Sequence, residues 1–198
     1  MAVVPVVRSL PLQLHAQRQT SHSWLESREH KRHAEMIMTQ ANASPAVIET
    51  LSGNTFFAGM MPEHLAFLAG ATRPRQCKAG EVLFRQGEHA DRFFLVQSGE
   101  ITVEVPAIMG PALQLQKLSI GKLLGWSWLI APYQWDFQAR AITDAGVIEF
   151  DGSAILARCE ADNAFGYELF KRFTGLMSER LSSARRKMMD QWDPAGFA

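Results

Sequence analysis

The stretch Gly80-Glu81-Val82-Leu83-Phe84-Arg85-Gln86-Gly87-Glu88-His89-Ala90-Asp91-Arg92-Phe93-Phe94-Leu95-Val96-Gln97-Ser98-Gly99-Glu100 decides how the chain is read. Two short runs of β-forming residues, Val82 to Phe84 and Phe93 to Val96, alternate with turns in which glycine stands beside an acid: Ala79-Gly80-Glu81, Gln86-Gly87-Glu88 and Ser98-Gly99-Glu100. Glycine reaches positive φ at no steric cost, so each triplet can reverse the chain between strands. The pattern continues downstream. Ile101 to Val105, Leu113 to Leu118 and Val147 to Phe150 are further strand candidates, with another turn at Met109-Gly110-Pro111. Several alternate apolar with polar residues, as half-buried strands do. Short strands at this spacing predict an antiparallel sandwich or jelly-roll β-barrel.

Helical signals flank this region. Ahead of it come the apolar runs Ala46 to Leu51 and Phe56 to Met60, then Pro62 to Ala69, which reads as a short helix opened by proline in its first turn and closed by Gly70. Behind it, Asp151 or Ser153 can cap a short helix from Ala154 to Cys159, and Asp162 or Asn163 a long one reaching about Trp192. Leu169, Phe173, Met177, Leu181, Ala184 and Met188 recur along the long helix at steps of three or four, which makes one continuous apolar stripe. At roughly 1.5 Å per residue this helix runs for about 45 Å, more than a small β domain covers. Its end is expected to pack on a second subunit. The fold class is mainly β with flanking helices, and residues 45–192 are expected to form one domain, followed by a tail over residues 193–198.

Composition narrows the function classes. The 198 residues are 47% hydrophobic and 20% charged with formal net charge zero, values of an ordinary globular protein that give no reason to expect nucleic acid or an acidic membrane as partner. No apolar run reaches the roughly 18 residues needed to span a bilayer. A soluble, cytoplasmic protein is expected. Cys77 and Cys159, the two cysteines, stand far apart without Cys or His neighbours at metal-ligand spacing, so two thiols in a reducing compartment are expected and no metal site. Residues 1–44 differ: Arg8, Arg18, Arg28, Lys31 and Arg32 accompany four of the six histidines, and no acid precedes Glu26. The tract superficially resembles a transit peptide or a nucleic-acid-binding arm. It is read as a disordered tail or, since Met36 and Met38 are alternative starts, as a mis-assigned beginning.

One further segment stands out. Leu124-Gly125-Trp126-Ser127-Trp128-Leu129-Ile130-Ala131-Pro132-Tyr133-Gln134-Trp135-Asp136-Phe137 holds three of the five tryptophans, with Gly125 and Pro132 interrupting any regular element. Such a segment reads as a structured loop. Large rigid rings either line a concave site, where they stack on a ligand at little rotamer cost, or pack into a core.

Gly80, Leu83-Phe84, Gly87-Glu88, Asp91, Phe93-Phe94-Leu95-Val96 and Gly99 resemble the first signature of the cyclic-nucleotide-binding domain found in catabolite activator and Fnr-type regulators. The order of elements agrees, and the resemblance spans roughly Phe56 to Trp192. It implies a regulatory, non-catalytic domain that senses a ligand such as cAMP or cGMP. In that family a phosphate cassette begins with a Gly-Glu pair, whose Glu accepts a ribose hydroxyl, and ends in an Arg that neutralises the cyclic phosphate. Anchored on Ala139-Arg140-Ala141, the Gly-Glu pair falls on Gly125-Trp126 and the Arg on Trp135, with Asp136 beside it. Both polar anchors are therefore replaced, and a buried phosphate lacking a cationic partner is strongly disfavoured.

The candidate ligand-binding set is Gly125, Trp126, Ser127, Trp128, Trp135, Asp136 and Arg140. Three sources of compensating groups are open: Arg140 turning inward, backbone N–H groups of Gly125 and Ser127, or Arg185 reaching in from the long helix. The leading expectation is a sensor whose occupancy repositions the long helix in a homodimer or against an unidentified protein partner. The alternative is a degenerate member whose pocket is filled by Trp126 and Trp135 and which acts in protein interaction. Only Asp193 to Ala198 follow the long helix, so no recognition helix and no direct DNA binding are expected. Cupin-type catalysis needs clustered histidines and carboxylates, whereas the β region holds only His89.

Overall fold

A computed structural model describes residues 44–107 and 109–191. Two helices lead, α1 (Pro45–Ser52) and α2 (Pro62–Gly70), followed by eight strands: β1 (Thr72–Cys77), β2 (Val82–Phe84), β3 (Arg92–Ser98), β4 (Ile101–Val105), β5 (Leu113–Leu118), β6 (Leu123–Leu124), β7 (Gln138–Ala141) and β8 (Ala145–Asp151). The chain then enters α3 (Gly152–Ala161) and the long α4 (Asn163–Gln191). The strands form two four-stranded antiparallel sheets, in the orders β1-β8-β3-β6 and β2-β7-β4-β5. This is the expected antiparallel jelly roll with flanking helices.

The turn glycines behave as their spacing predicts, with Gly80, Gly87 and Gly99 all at positive φ. Gly99 has a second constraint. A Cβ there would sit 2.3 Å from the carbonyl oxygen of Asp144, so any side chain would push apart the turns that close β3 to β4 and β7 to β8.

Three strands escape the sequence pattern. The segment of β1, Thr-Arg-Pro-Arg-Gln-Cys, is charged and carries a proline, yet it pairs along its whole length with β8, from Thr72 opposite Phe150 to Cys77 opposite Ala145. It is an edge strand, where a missing proline N–H leaves no interior ladder broken. Its arginines have a purpose: Glu149 of β8 is 4% exposed and is held by Arg73, by Arg75 at 3.6 Å and by Arg92 at 2.7 Å. A buried carboxylate without such partners would be strongly destabilising. β6 and β7 are too short for a periodic signal. A smaller correction concerns α2, which runs through Gly70 and is capped at Ala71.

An aromatic core joins the sheets to the helices. Phe93 stacks on Phe150 at 4.2 Å and on Trp128 at 5.2 Å, and Phe173 of α4 meets Phe93 edge-on at 5.3 Å. Asp151 caps α3 by accepting from the Ala154 N–H, and Asp162 caps α4 by accepting from the N–H groups of Ala164 and Phe165. Along the apolar stripe, Leu169 and Phe173 are buried, whereas Leu181 and Met188 are 73% and 68% exposed. The expected roles of residues 1–43 and 192–198 fall outside the described residues. Among the described residues no three His, Cys, Asp or Glu side chains gather to hold a metal ion, and no helix is long and apolar enough to cross a membrane.

Candidate functional site

The tryptophan-rich loop leaves the sheet at β6, where Leu123 and Leu124 pair with Leu95 and Phe94 of β3. Gly125 follows at φ +88, and a Cβ there would stand 3.0 Å from two ring carbons of Trp135. Glycine is thus needed twice, for the left-handed backbone and for the ring laid against it. A single 3-10 turn, Ser127–Leu129, closes with the Leu129 N–H donating to Trp126 O at 3.0 Å. The returning arm is zipped onto the β2–β3 connection. Ala90 N–H donates to Tyr133 O at 2.8 Å, Trp135 N–H to Glu88 O at 2.9 Å, and Gly87 N–H to Trp135 O at 2.8 Å.

This backbone frame turns Trp135 inward. The ring is 4% exposed and lies 3.9 Å from Phe84 at 18°, and Phe84 in turn stacks on Phe94 at 5.9 Å. The column Trp135-Phe84-Phe94 runs through the interior of the roll. Trp128 is also core: it is 2% exposed, stacks on Phe93 and meets Phe173 edge-on at 5.6 Å, so it ties the loop to α4. Asp136 is exposed, and Gly125, Trp126 and Ser127 are half-buried at the mouth of the loop. Arg140 is committed elsewhere. Its Nε donates to Glu104 at 2.9 Å and its Nη1 to Gly80 O at 2.9 Å, and Gln138 donates to the same Glu104 oxygen at 2.8 Å. Arg185 is an exposed residue of α4.

The residue that sequence reasoning missed is Arg180. It reaches from α4 to the start of the loop, where Nη2 donates to Leu123 O and the guanidinium carbon lies 5.0 Å from the centre of the Trp126 ring. Burial pulls its pKa down to about 10. A signal was available. Arg180 stands seven residues after Phe173, two turns along the same inward face of α4.

Residues 74–162 match the family model of the cyclic nucleotide-binding domain. These residues belong to that family. A protein of Geobacter metallireducens GS-15 assigned to cyclic nucleotide binding superposes with a TM-score of 0.62 at 25% identity, covering 67% of this chain and 96% of that one. The regulatory subunit of a cAMP-independent protein kinase A from Trypanosoma brucei superposes at 0.59 with 14% identity, covering 78% and 51%. In sequence, the acetyltransferase Pat of Mycolicibacterium smegmatis is 36% identical over 75 residues, 38% of this chain and 22% of that enzyme. The chain thus spans about a fifth of the length of that curated relative. The tryptophan-rich loop, Leu124 to Phe137, lies within the matched residues.

Proposed function

We propose that this domain is a regulatory module whose cyclic-nucleotide seat is closed from within, so that its state passes to a partner through α4 without cAMP or cGMP. The observation that carries the reading is Trp135. Its ring is packed face to face on Phe84 and fills the space that a Cβ on Gly125 would need, and it stands where the resemblance expects a phosphate-neutralising Arg. A cyclic phosphate placed there would lose its cation and meet an indole, a loss that stacking of about 1 kcal/mol per aromatic pair does not offset. A structural relative described as the regulatory subunit of a cAMP-independent kinase supports the view that this fold can regulate without cAMP. The module is non-catalytic and cytoplasmic in this reading. Its partner is a second copy or another protein docked on the exposed end of α4, where Leu181, Met188 and Met189 stand in solvent.

The test is a thermal-unfolding scan of the full chain with millimolar cAMP or cGMP. A ligand at about a hundred times its dissociation constant adds about 2.7 kcal/mol, which at about 2–4 °C per kcal/mol raises the midpoint by roughly 5–11 °C in a protein of this size. No rise is expected with either nucleotide. A rise of several degrees with either one would overturn the closed-seat reading.

A further inference from the structure

The cassette lacks its own cation, yet a cation is present. Arg180 enters from α4 and lies over the ring of Trp126, the position at which the family's cassette places a carboxylate. The local charge is therefore the opposite of what the family arrangement provides there.

Arg180 differs from every other half-buried arginine among the described residues. Arg75 pairs with Glu81 at 2.9 Å, Arg92 with Asp91 at 2.6 Å, Arg140 with Glu104 at 2.9 Å, Arg158 with Asp162 at 2.9 Å and Arg172 with Glu168 at 2.8 Å. Arg180 has no ion pair among the described residues. Its described partners are the Leu123 carbonyl and the Trp126 ring, and the described hydrogen bonds use one of its five N–H donors. Neighbouring Glu179 lies on the exposed side of the helix. A guanidinium held out of bulk water without a counter-charge is costly, and its planar fork suits an oxyanion in two-point contact.

We propose that Arg180, Trp126 and the backbone of Gly125 and Ser127 form a seat for a small oxyanion, a phosphate or a carboxylate, bound between the cassette and α4. Gly125 at φ +88 turns the backbone at the seat. The guanidinium carbon lies 5.0 Å from the centre of the Trp126 ring, within cation–π range. The cation comes from α4 rather than from the cassette, so an occupied seat adds a second tie between α4 and the start of the loop, beside the hydrogen bond of Arg180 to Leu123. This goes beyond the closed-seat reading, since it concerns the mouth of the loop and not the interior space that Trp135 fills.

Thermal scans of the full chain in sodium phosphate, in sodium succinate and in sodium chloride of matched ionic strength test the seat. One oxyanion is expected to raise the midpoint by a few degrees over chloride, phosphate or succinate identifying the ligand class. The rise should vanish in Arg180→Gln and persist in Arg85→Gln, a change at an exposed arginine of the β2–β3 turn. No rise over chloride in the native chain overturns the proposal, as does an equal rise in Arg180→Gln, which would mean ordinary surface anion binding. If Arg180→Gln fails to fold, an anion-dependent change in indole fluorescence of the native chain decides: its loss in Trp126→Phe supports the seat, and its persistence there overturns it. A midpoint rise with cAMP alone would defeat the closed-seat reading and leave this result to stand or fall on the phosphate and succinate arms.

Discussion

The first and second halves of α4 carry the same apolar stripe and meet different fates. From Asn163 to Phe173 the helix is fixed at many points: Asp162 caps it, Phe165, Leu169 and Phe173 are buried, and Glu168 accepts from Arg172 while pairing with the ring of His64 on α2. Arg172 also donates to the Phe56 carbonyl. Beyond Arg180 the stripe continues through Leu181 and Met188, which are 73% and 68% exposed. Periodicity states which residues share a face. It does not state how far the neighbouring structure extends, and here the β-roll reaches about as far as Arg180.

The largest test of this contrast is Phe173→Ala. Phe173 sits edge-on to Phe93, Trp128 and Phe56, so its removal opens a cavity at the junction of sheet, cassette and helix. A loss of about 3–5 kcal/mol is expected in denaturant unfolding, and a loss below about 1 kcal/mol would mean the first half is not the anchor.

Acid titration gives a smaller effect with a defined sign. Burial alone would raise the pKa of Glu168, but hydrogen bonds from Arg172 and His64 outweigh it and hold the carboxyl below its ordinary value. A depressed folded pKa contributes stability that is present above the unfolded value of about 4.3 and is lost as pH falls through the lower folded value. The native chain should therefore lose more stability than Glu168→Gln as pH drops below about 4.3. Parallel curves would remove Glu168 from the anchor.

The smallest effect on folding is expected at the far end. The double change Leu181→Asp with Met188→Asp should leave unfolding within about 0.5 kcal/mol of the native chain while abolishing self-association in sedimentation. A native chain that sediments as a monomer at high concentration would refute the self-association, and a large folding loss would show that the domain itself covers these side chains.

The cassette repeats the lesson on a smaller scale. Trp126 and Trp135 are the same residue type nine positions apart in one loop. One lies half-open beneath an arginine and the other is sealed in the core, because the backbone of Tyr133 to Trp135 is zipped to Glu88 and Ala90 while Trp126 opens a short turn. Arg140 and Arg180 show the converse. The first, close to the loop in sequence, is bound to Glu104 on the neighbouring strand, and the second, remote in sequence, reaches the site because α4 folds back across β6.

By itself the sequence determined the jelly roll, its glycine turns and the helix caps, because these depend on local backbone geometry and short periodicities along the chain. Strand β1 was beyond it, since a charged, proline-bearing segment becomes a strand only when β8 lies beside it. Tertiary structure alone decided that Trp135 faces inward and that Arg180 supplies the cation at the loop mouth. Each of those outcomes is set by partners distant in sequence: the β2–β3 turn that receives the Trp135 backbone, and the carbonyl of Leu123 that receives the guanidinium.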